Sequence, residues 1–429
     1  MKNHFFKPSG KSMHFFLFLM IFTVMISSCA ATKKVTFHKG AYKNVFLEAG
    51  YKKTDIDQKV QKAYTDLFEG PNRIYFEVGD TMGYVSDLKN RDARTEGLSY
   101  GMMVAVQLDK KDVFDRVWRW SKKYAQHQSG PREGYFAWSL NPQTGRQNSA
   151  GSASDGELYY VTALLFASNR WGNDTGINYY GEARRILDAM WKKDGTGNVF
   201  HLINLEHKMI TFVPEGGSYN WTDPSYHLPA FMEIWAEYAK DGHEQFYKDC
   251  ADSARAHLKK ACNPVNGLNS DYAEFDGKPR NFGRLPGAFR YDSWRVPMNI
   301  AMDYLWYGKD KVWQEKYGSA FQGFLRTRGI DTFEDQFNID GSLPVENEIL
   351  GAGGFRKLRH SIGLVSTAAT VSVMKGVDPN FDFVHALWKA KLEPYEDGYF
   401  DPYYDGLLYL FSLMHLSGKY QIITPAVIK

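Results

Sequence analysis

A chain of 429 residues is long enough for two or three average domains, and its formal net charge of +3 comes from acidic and basic residues mixed throughout. That balance excludes nucleic acid or a polyanion as the main partner. No C-x-x-C, H-E-x-x-H or P-loop pattern occurs, so no metal and no cofactor is expected.

The first 29 residues read as a targeting segment. Lys2, Lys7 and Lys11 precede an apolar run from Phe15 to Ile26, too short for a comfortable membrane span. Ile26-Ser27-Ser28-Cys29 resembles a bacterial lipobox, in which Cys29 becomes the lipidated first residue of the mature protein. A tether over 30–42 follows. The protein is therefore expected to be exported and lipid-anchored in the cell envelope, in the periplasm or at the outer membrane. Cys250 and Cys262 fall on one predicted helix; at ~1.5 Å rise per residue they lie about 18 Å apart and cannot bridge.

From 43 to 429 no linker, charge block or low-complexity run divides the chain, which reads as one domain. Helical patterns recur at 55–68, 96–108, 112–127, 155–169, 179–192, 225–240, 244–261, 291–306, 311–328, 360–374, 381–392 and 402–416. Short strand-like pieces lie between them, at 73–78 and 199–205. Twelve helices without a sequence repeat predict an all-α fold, six helical hairpins closed into an (α/α)6 barrel.

The second helix opens on Thr95-Glu96-Gly97-Leu98-Ser99-Tyr100-Gly101. Thr95 is placed to cap it. Gly97 and Gly101 share one face and leave it bare, so another group can approach closely. A carboxyl on the rim of such a hollow has its acid form favoured, which suits Glu96 to a general acid. The alternative is an ordinary solvated glutamate in a first turn. Gly97 to Gly101 also fits G-x-S-x-G, but that nucleophile elbow needs a strand feeding it, and 89–94 is charged; a serine esterase stays as a minor alternative.

Further along, Asp155 sits among small residues at the start of the fourth helix, as a cap or as a ligand-binding carboxylate. The loops carrying Tyr135, Phe136 and Trp138, and Tyr219, Trp221 and Tyr226, set aromatic rings beside hydroxyls and amides, the pairing that suits sugars. Asp292 precedes a helix whose start is fixed by Pro297, and Arg290 and Arg295 are placed to hold its carboxylate ionised. An ionised Asp facing a protonated Glu is what glycosidic cleavage needs. The segment 350–360 is glycine-rich, then basic, and ends at His360; such a loop can close one end of a groove. Glu96, Asp155, Tyr226, Asp292 and His360 open the second, fourth, sixth, eighth and tenth helices. Alternate helices run the same way, so these termini are expected on one face.

Thr95-Glu96-Gly97 with Tyr100-Gly101-Met102, then Ser154-Asp155-Gly156-Glu157-Leu158, Asp223-Pro224-Ser225-Tyr226 and Tyr291-Asp292-Ser293-Trp294-Arg295-Val296-Pro297 resemble, in order and spacing, the motifs of glycoside hydrolase family 8. The resemblance covers nearly the whole mature chain. It implies an (α/α)6 barrel and an inverting glycosidase of β-1,4 glycans. The stretch from Trp221 to Phe231 and the Trp294-Arg295-Val296-Pro297 tail are most similar to xylan-active members, which include the reducing-end xylose-releasing exo-oligoxylanases. Position by position it implies Glu96 as general acid, Asp292 as general base, Asp155 as the carboxylate that binds and distorts the sugar, and Tyr226 beside the attacking water. Trp138 is implied as a stacking residue on the non-reducing side. Tyr219, Trp221, Tyr291 and Arg295 are further candidates for substrate contact. His360 stands where a Leu-His-Pro loop is only loosely matched by Leu358-Arg359-His360. Thr95 replaces a serine common in the family. The expected partners are a xylo-oligosaccharide and, through the lipid, a membrane; the expected state is a monomer. Rival readings are an endo-acting xylanase, cellulase or chitosanase of the same family, a non-catalytic glycan-binding lipoprotein, and a polysaccharide lyase on a similar toroid.

Overall fold

The computed structural model describes residues 36–37, 42–351 and 357–425. Cys29 and its lipobox, and the glycines at 353 and 354, lie outside the described residues. Among these residues twelve helices of eight residues or more follow one another: α1 Lys53–Phe68, α2 Thr95–Gln107, α3 Lys111–Trp120, α4 Ser154–Trp171, α5 Tyr179–Trp191, α6 Pro229–Tyr238, α7 Glu244–Ala261, α8 Arg295–Trp306, α9 Lys311–Thr327, α10 Ile362–Thr370, α11 Asp382–Lys389 and α12 Tyr404–Leu416.

Burial separates them into two rings. Every residue of α8, α10 and α12 is buried. In α1 the buried residues include Ile56, Val60, Ala63, Tyr64 and Leu67, a single stripe at helical spacing. The even helices are buried almost all round and form the inner ring, α2 touching α4, α4 α6, α6 α8, α8 α10, α10 α12, and α12 returning to α2. Each odd helix lays its stripe on the inner helix before it, and α1 packs on α12. The fold is an (α/α)6 barrel, with the hairpins offset by one helix from simple sequential pairing, so that the first outer helix closes the ring against the last inner one.

Several helices start later than the sequence pattern predicts. The sixth, expected from 225, is a 3-10 turn at Pro224–Tyr226 followed by α6 from Pro229, which has no N–H to lose at a first turn. The eighth begins as a 3-10 turn, Tyr291–Trp294, before α8. The tenth starts after Ser361, whose side chain accepts from Gly363 N. These turns lift Tyr226 and Asp292 off the helix ends and over the mouth of the ring.

The short strands are loop clasps. Ala93–Arg94 pairs antiparallel with Ser139–Leu140, which pairs with Gln147–Ser149. Within the expected tether, Thr36–Phe37 pairs with Ile423–Thr424. Cys250 lies in α7 and Cys262 just beyond it, both buried and unbridged.

Candidate active site

The strand Ala93–Arg94 runs straight into α2, and Thr95 N donates to Trp138 O at 3.0 Å. Thr95 does not cap the helix. Its hydroxyl is buried without a hydrogen-bond partner among the described residues, because the side chain packs against Gly156 of α4, where a Cβ would lie 2.5 Å from its own. A strand therefore does precede Ser99, contrary to expectation. The hydroxyl is nonetheless fully buried inside α2 and donates to Glu96 O at 3.0 Å, which removes the esterase reading. Nor does the bare face of Gly97 and Gly101 meet a ligand: Tyr403 of the Asp401–Tyr404 turn fills it at Gly97 and Val85 at Gly101. A Cβ at Gly97 would overlap the Tyr403 ring, and the room it leaves lets Tyr403 donate to Glu96 Oε1 at 3.0 Å.

Arg295, the first residue of α8, holds the centre. Its side chain is 3% exposed. Nη1 donates to Glu96 Oε2 and to Asp155 Oδ2, both at 2.8 Å, and to Tyr100 Oη at 3.2 Å. Nη2 donates to Asp292 Oδ1 at 2.9 Å and lies 3.7 Å from Asp223 Oδ2. Its guanidinium carbon sits 5.5 Å from the Tyr226 ring centre. Four carboxyl groups from four segments thus surround one cation. Glu96 and Asp292 are bonded to opposite ends of that guanidinium, so the two bonded oxygens are no more than roughly 8 Å apart, a span compatible with the wider carboxyl separation of inverting enzymes.

Burial pushes the Glu96 carboxyl up to about 8; Arg295 opposes this, and the nearby Asp155 and Asp292 add to it. Asp155 is also raised by burial against the pull of Arg295. Asp223, fully buried, is raised well above the carboxylate range by burial and then by Asp292. Asp292 is the most open of the four, its side chain 27% exposed. Among the described residues its Oδ2 accepts no hydrogen bond, which leaves that oxygen available to a water. Arg290 does not reach Asp292; it is spent on Asp271, 2.7 Å away, and on the Pro286 carbonyl. Tyr291, immediately before the base candidate, has φ +36°, a left-handed value that costs an aromatic residue about 1–3 kcal/mol. Tyr404 Oη donating to Tyr291 O at 2.7 Å and stacking on Trp294 hold it there.

Two cavities meet at this cluster. The larger, about 390 Å³, is lined among others by Trp138, Asp155, Phe212, Tyr226, Tyr272 and Phe282. The smaller, about 270 Å³, is lined by Asn90, Tyr291, Leu350, Gly351, Asp401 and Tyr403 with their neighbours. Arg94, Glu96 and Asp292 line both.

Of the candidates named from sequence, Glu96, Asp155, Tyr226, Asp292, Arg295, Trp138 and Tyr291 come together here. Trp221 lies one layer back, stacked on Phe212 at 4.1 Å. Tyr219 stacks on Phe200 and lines neither cavity. His360 lines neither: its Nδ1 donates to Phe333 O at 2.9 Å, and the described part of its loop that reaches the smaller cavity is Leu350 and Gly351. Arg94, Tyr272, Phe282, Tyr403 and Tyr404 were not foreseen. Tyr403 and Tyr404 open α12, the sixth inner helix, and the rule that even helices start at one face would have found them.

Comparison with known proteins adds a lineage. The family model described as glycosyl hydrolases family 8 matches residues 81–336. The chain is 37% identical over 397 residues, 91% of it and 99% of its relative, to the reducing-end xylose-releasing exo-oligoxylanase Rex8A of Paenibacillus barcinonensis. It is 38% identical over 399 residues, 92% of it and 97% of its relative, to a reducing end xylose-releasing exo-oligoxylanase of Halalkalibacterium halodurans. The solved structure of a Rex8A mutant complexed with 3(3)-alpha-L-arabinofuranosyl-xylotetraose superposes with a TM-score of 0.81 at 36% identity, covering 91% of this chain and 100% of that one.

Proposed function

The chain belongs to glycosyl hydrolases family 8 and is a glycoside hydrolase, and from that we propose that it cleaves β-1,4-xylo-oligosaccharides with inversion and releases xylose from the reducing end. The observation that carries the reading is the pair of unequal cavities joined at Glu96 and Asp292. The longer chain of sugars lies in the larger, aromatic cavity. The smaller one, walled by Leu350 and Gly351, takes the terminal xylose as leaving group.

In this mechanism Glu96, kept protonated near neutral pH by burial and its two carboxylate neighbours, gives its proton to the glycosidic oxygen. A water bound at Asp292 Oδ2 loses a proton to that carboxylate and attacks the anomeric carbon from the opposite face. One displacement inverts the configuration. Asp155, fixed by Arg295, binds the sugar at the cleavage point, and Tyr226 lines the water side. The lipobox-like Ile26-Ser27-Ser28-Cys29 supports an exported, lipid-anchored protein.

Digestion of xylotetraose labelled at its reducing end tests the reading. Labelled xylose and unlabelled xylotriose are the expected first products, with the newly formed anomer α. Labelled xylobiose as the main early product would replace the exo reading with an endo one. A β-anomer would overturn inversion.

A further inference from the structure

Three residues line both cavities, and two of them are the acid and the base. The third is Arg94. Its backbone is set by the antiparallel pairing of Arg94 with Ser139. Its Nε donates to both oxygens of Asp92, at 3.1 and 3.2 Å, and Asp92 in turn accepts from Ser139 Oγ at 2.7 Å. The guanidinium carbon lies 5.4 Å from the Trp138 ring centre, and Nη1 is 3.5 Å from Asp87. So the stem and one edge of the fork are fixed, while both Nη nitrogens donate no hydrogen bond among the described residues. The side chain is 26% exposed, where Arg295 is 3% exposed and has both Nη nitrogens bonded to carboxyl groups. An arginine held this way presents a planar set of charged donors at the joint between the two cavities.

We propose that Arg94 is a substrate-binding residue that spans the scissile bond, donating from its two Nη nitrogens to hydroxyls of the sugars on either side while Trp138 backs it. The proposal rests on the reading of the cleft as an oligosaccharide site. It makes Arg94 responsible for aligning the leaving sugar with Glu96. A clamp on both sugars acts on binding and on the reacting geometry together.

The test is steady-state kinetics of Arg94→Gln and Arg94→Lys on xylotriose and on 4-nitrophenyl β-xylobioside, whose leaving group offers Arg94 no hydroxyl. Arg94→Gln is expected to raise KM and lower kcat on xylotriose, a loss of about 10- to 100-fold in kcat/KM for lost charged hydrogen bonds. The loss on the nitrophenyl substrate should be about fivefold or less, and Arg94→Lys should recover part of the xylotriose loss. A folded Arg94→Gln variant within about threefold of the unmutated enzyme on xylotriose, or one that loses equally on both substrates, overturns the proposal. Should Arg94→Gln unfold, Arg94→Lys carries the comparison, and equal losses on the two substrates overturn it in the same way. If the unmutated protein leaves xylotriose intact but cleaves another β-1,4 trisaccharide, the substrate reading fails while Arg94 is judged on that sugar and its nitrophenyl counterpart.

Discussion

Raising the pH should switch off this enzyme through Glu96, and only where the leaving group needs a proton. A carboxyl raised to about 8 holds its proton through neutral pH and loses it as pH rises past that value. On xylotriose, kcat/KM should therefore fall about tenfold per pH unit above about 8. Nitrophenolate leaves without protonation, so 4-nitrophenyl β-xylobioside should lack that limb. Glu96→Gln can accept from Arg295 through its amide oxygen and donate its NH2 to the Tyr403 oxygen, but has no proton to give. It should cost about 10²- to 10⁴-fold on xylotriose, the usual worth of a general acid, and about tenfold or less on the nitrophenyl substrate. Reducing-sugar release and nitrophenol absorbance, each measured from pH 5 to 10, decide it. An alkaline limb of equal position and depth on both substrates, or equal losses for Glu96→Gln on both, would refute the assignment.

Glu157 predicts a stability effect of the same origin. It is fully buried, accepts from Phe136 N and Ser152 Oγ through Oε1, has no partner at Oε2 among the described residues, and is pushed by burial from 4.5 up to about 8. The folded chain holds this proton where the unfolded chain has lost it, so stability falls as pH rises between those values, by roughly 5 kcal/mol in all. Glu157→Gln should lose that slope; urea unfolding at pH 5 and 9 in which the two proteins differ by a constant amount would contradict it. Gly97→Ala should lower the thermal midpoint and kcat together, because the added methyl drives Tyr403 off Glu96 at an overpacking cost of about 1–3 kcal/mol. His360→Ala should leave the first product from labelled xylotetraose unchanged, since the ring is turned to the Phe333 carbonyl. Cys29→Ser should release the protein from detergent extracts into the soluble fraction, and fractionation showing the unmutated protein already soluble would end the anchor proposal.

The barrel was legible because inner helices such as α10 and α12 are mostly apolar all round while α1 carries a stripe, and that contrast is written in residue order. The convergence of Glu96, Asp155, Tyr226 and Asp292 followed from helix parity and nothing finer. What stayed hidden depends on where a side chain goes after its helix is placed. Thr95 looks like a cap, but Gly156 across the ring takes its side chain. Arg290 and Arg295 are five residues apart and look equivalent beside Asp292. Yet the 3-10 turn between them sends one outward to Asp271 and the other inward to four carboxyl groups. His360 and Gly351 share a loop, and no local pattern says which end of it meets the cavity.

The same helix that starts with Arg295 carries Asp303 about two turns on, roughly 12 Å away along the axis. There a second buried arginine, Arg255, donates to Asp303 at 2.6 and 2.9 Å and to Glu233 at 2.9 Å, with Lys309 2.5 Å from Glu233. Two cations meet two buried carboxylates there, with the exposed Asp252 also bonded to Arg255 at 3.1 Å, and that cluster ties α6, α7 and α8 together. At the mouth, Arg295 faces Glu96, Asp155, Asp223 and Asp292. Even with Arg94 counted, carboxyl groups outnumber cations there by two to one. A buried site cannot hold that excess as charge, because unpaired ions lose their hydration without recompense. Burial first, and then the neighbouring carboxylates, raise Glu96, Asp155 and Asp223. The proposed acid Glu96 is in this sense set by burial and by the cluster's imbalance together: a second cation buried beside Arg295 is expected to lower its carboxyl and disarm it.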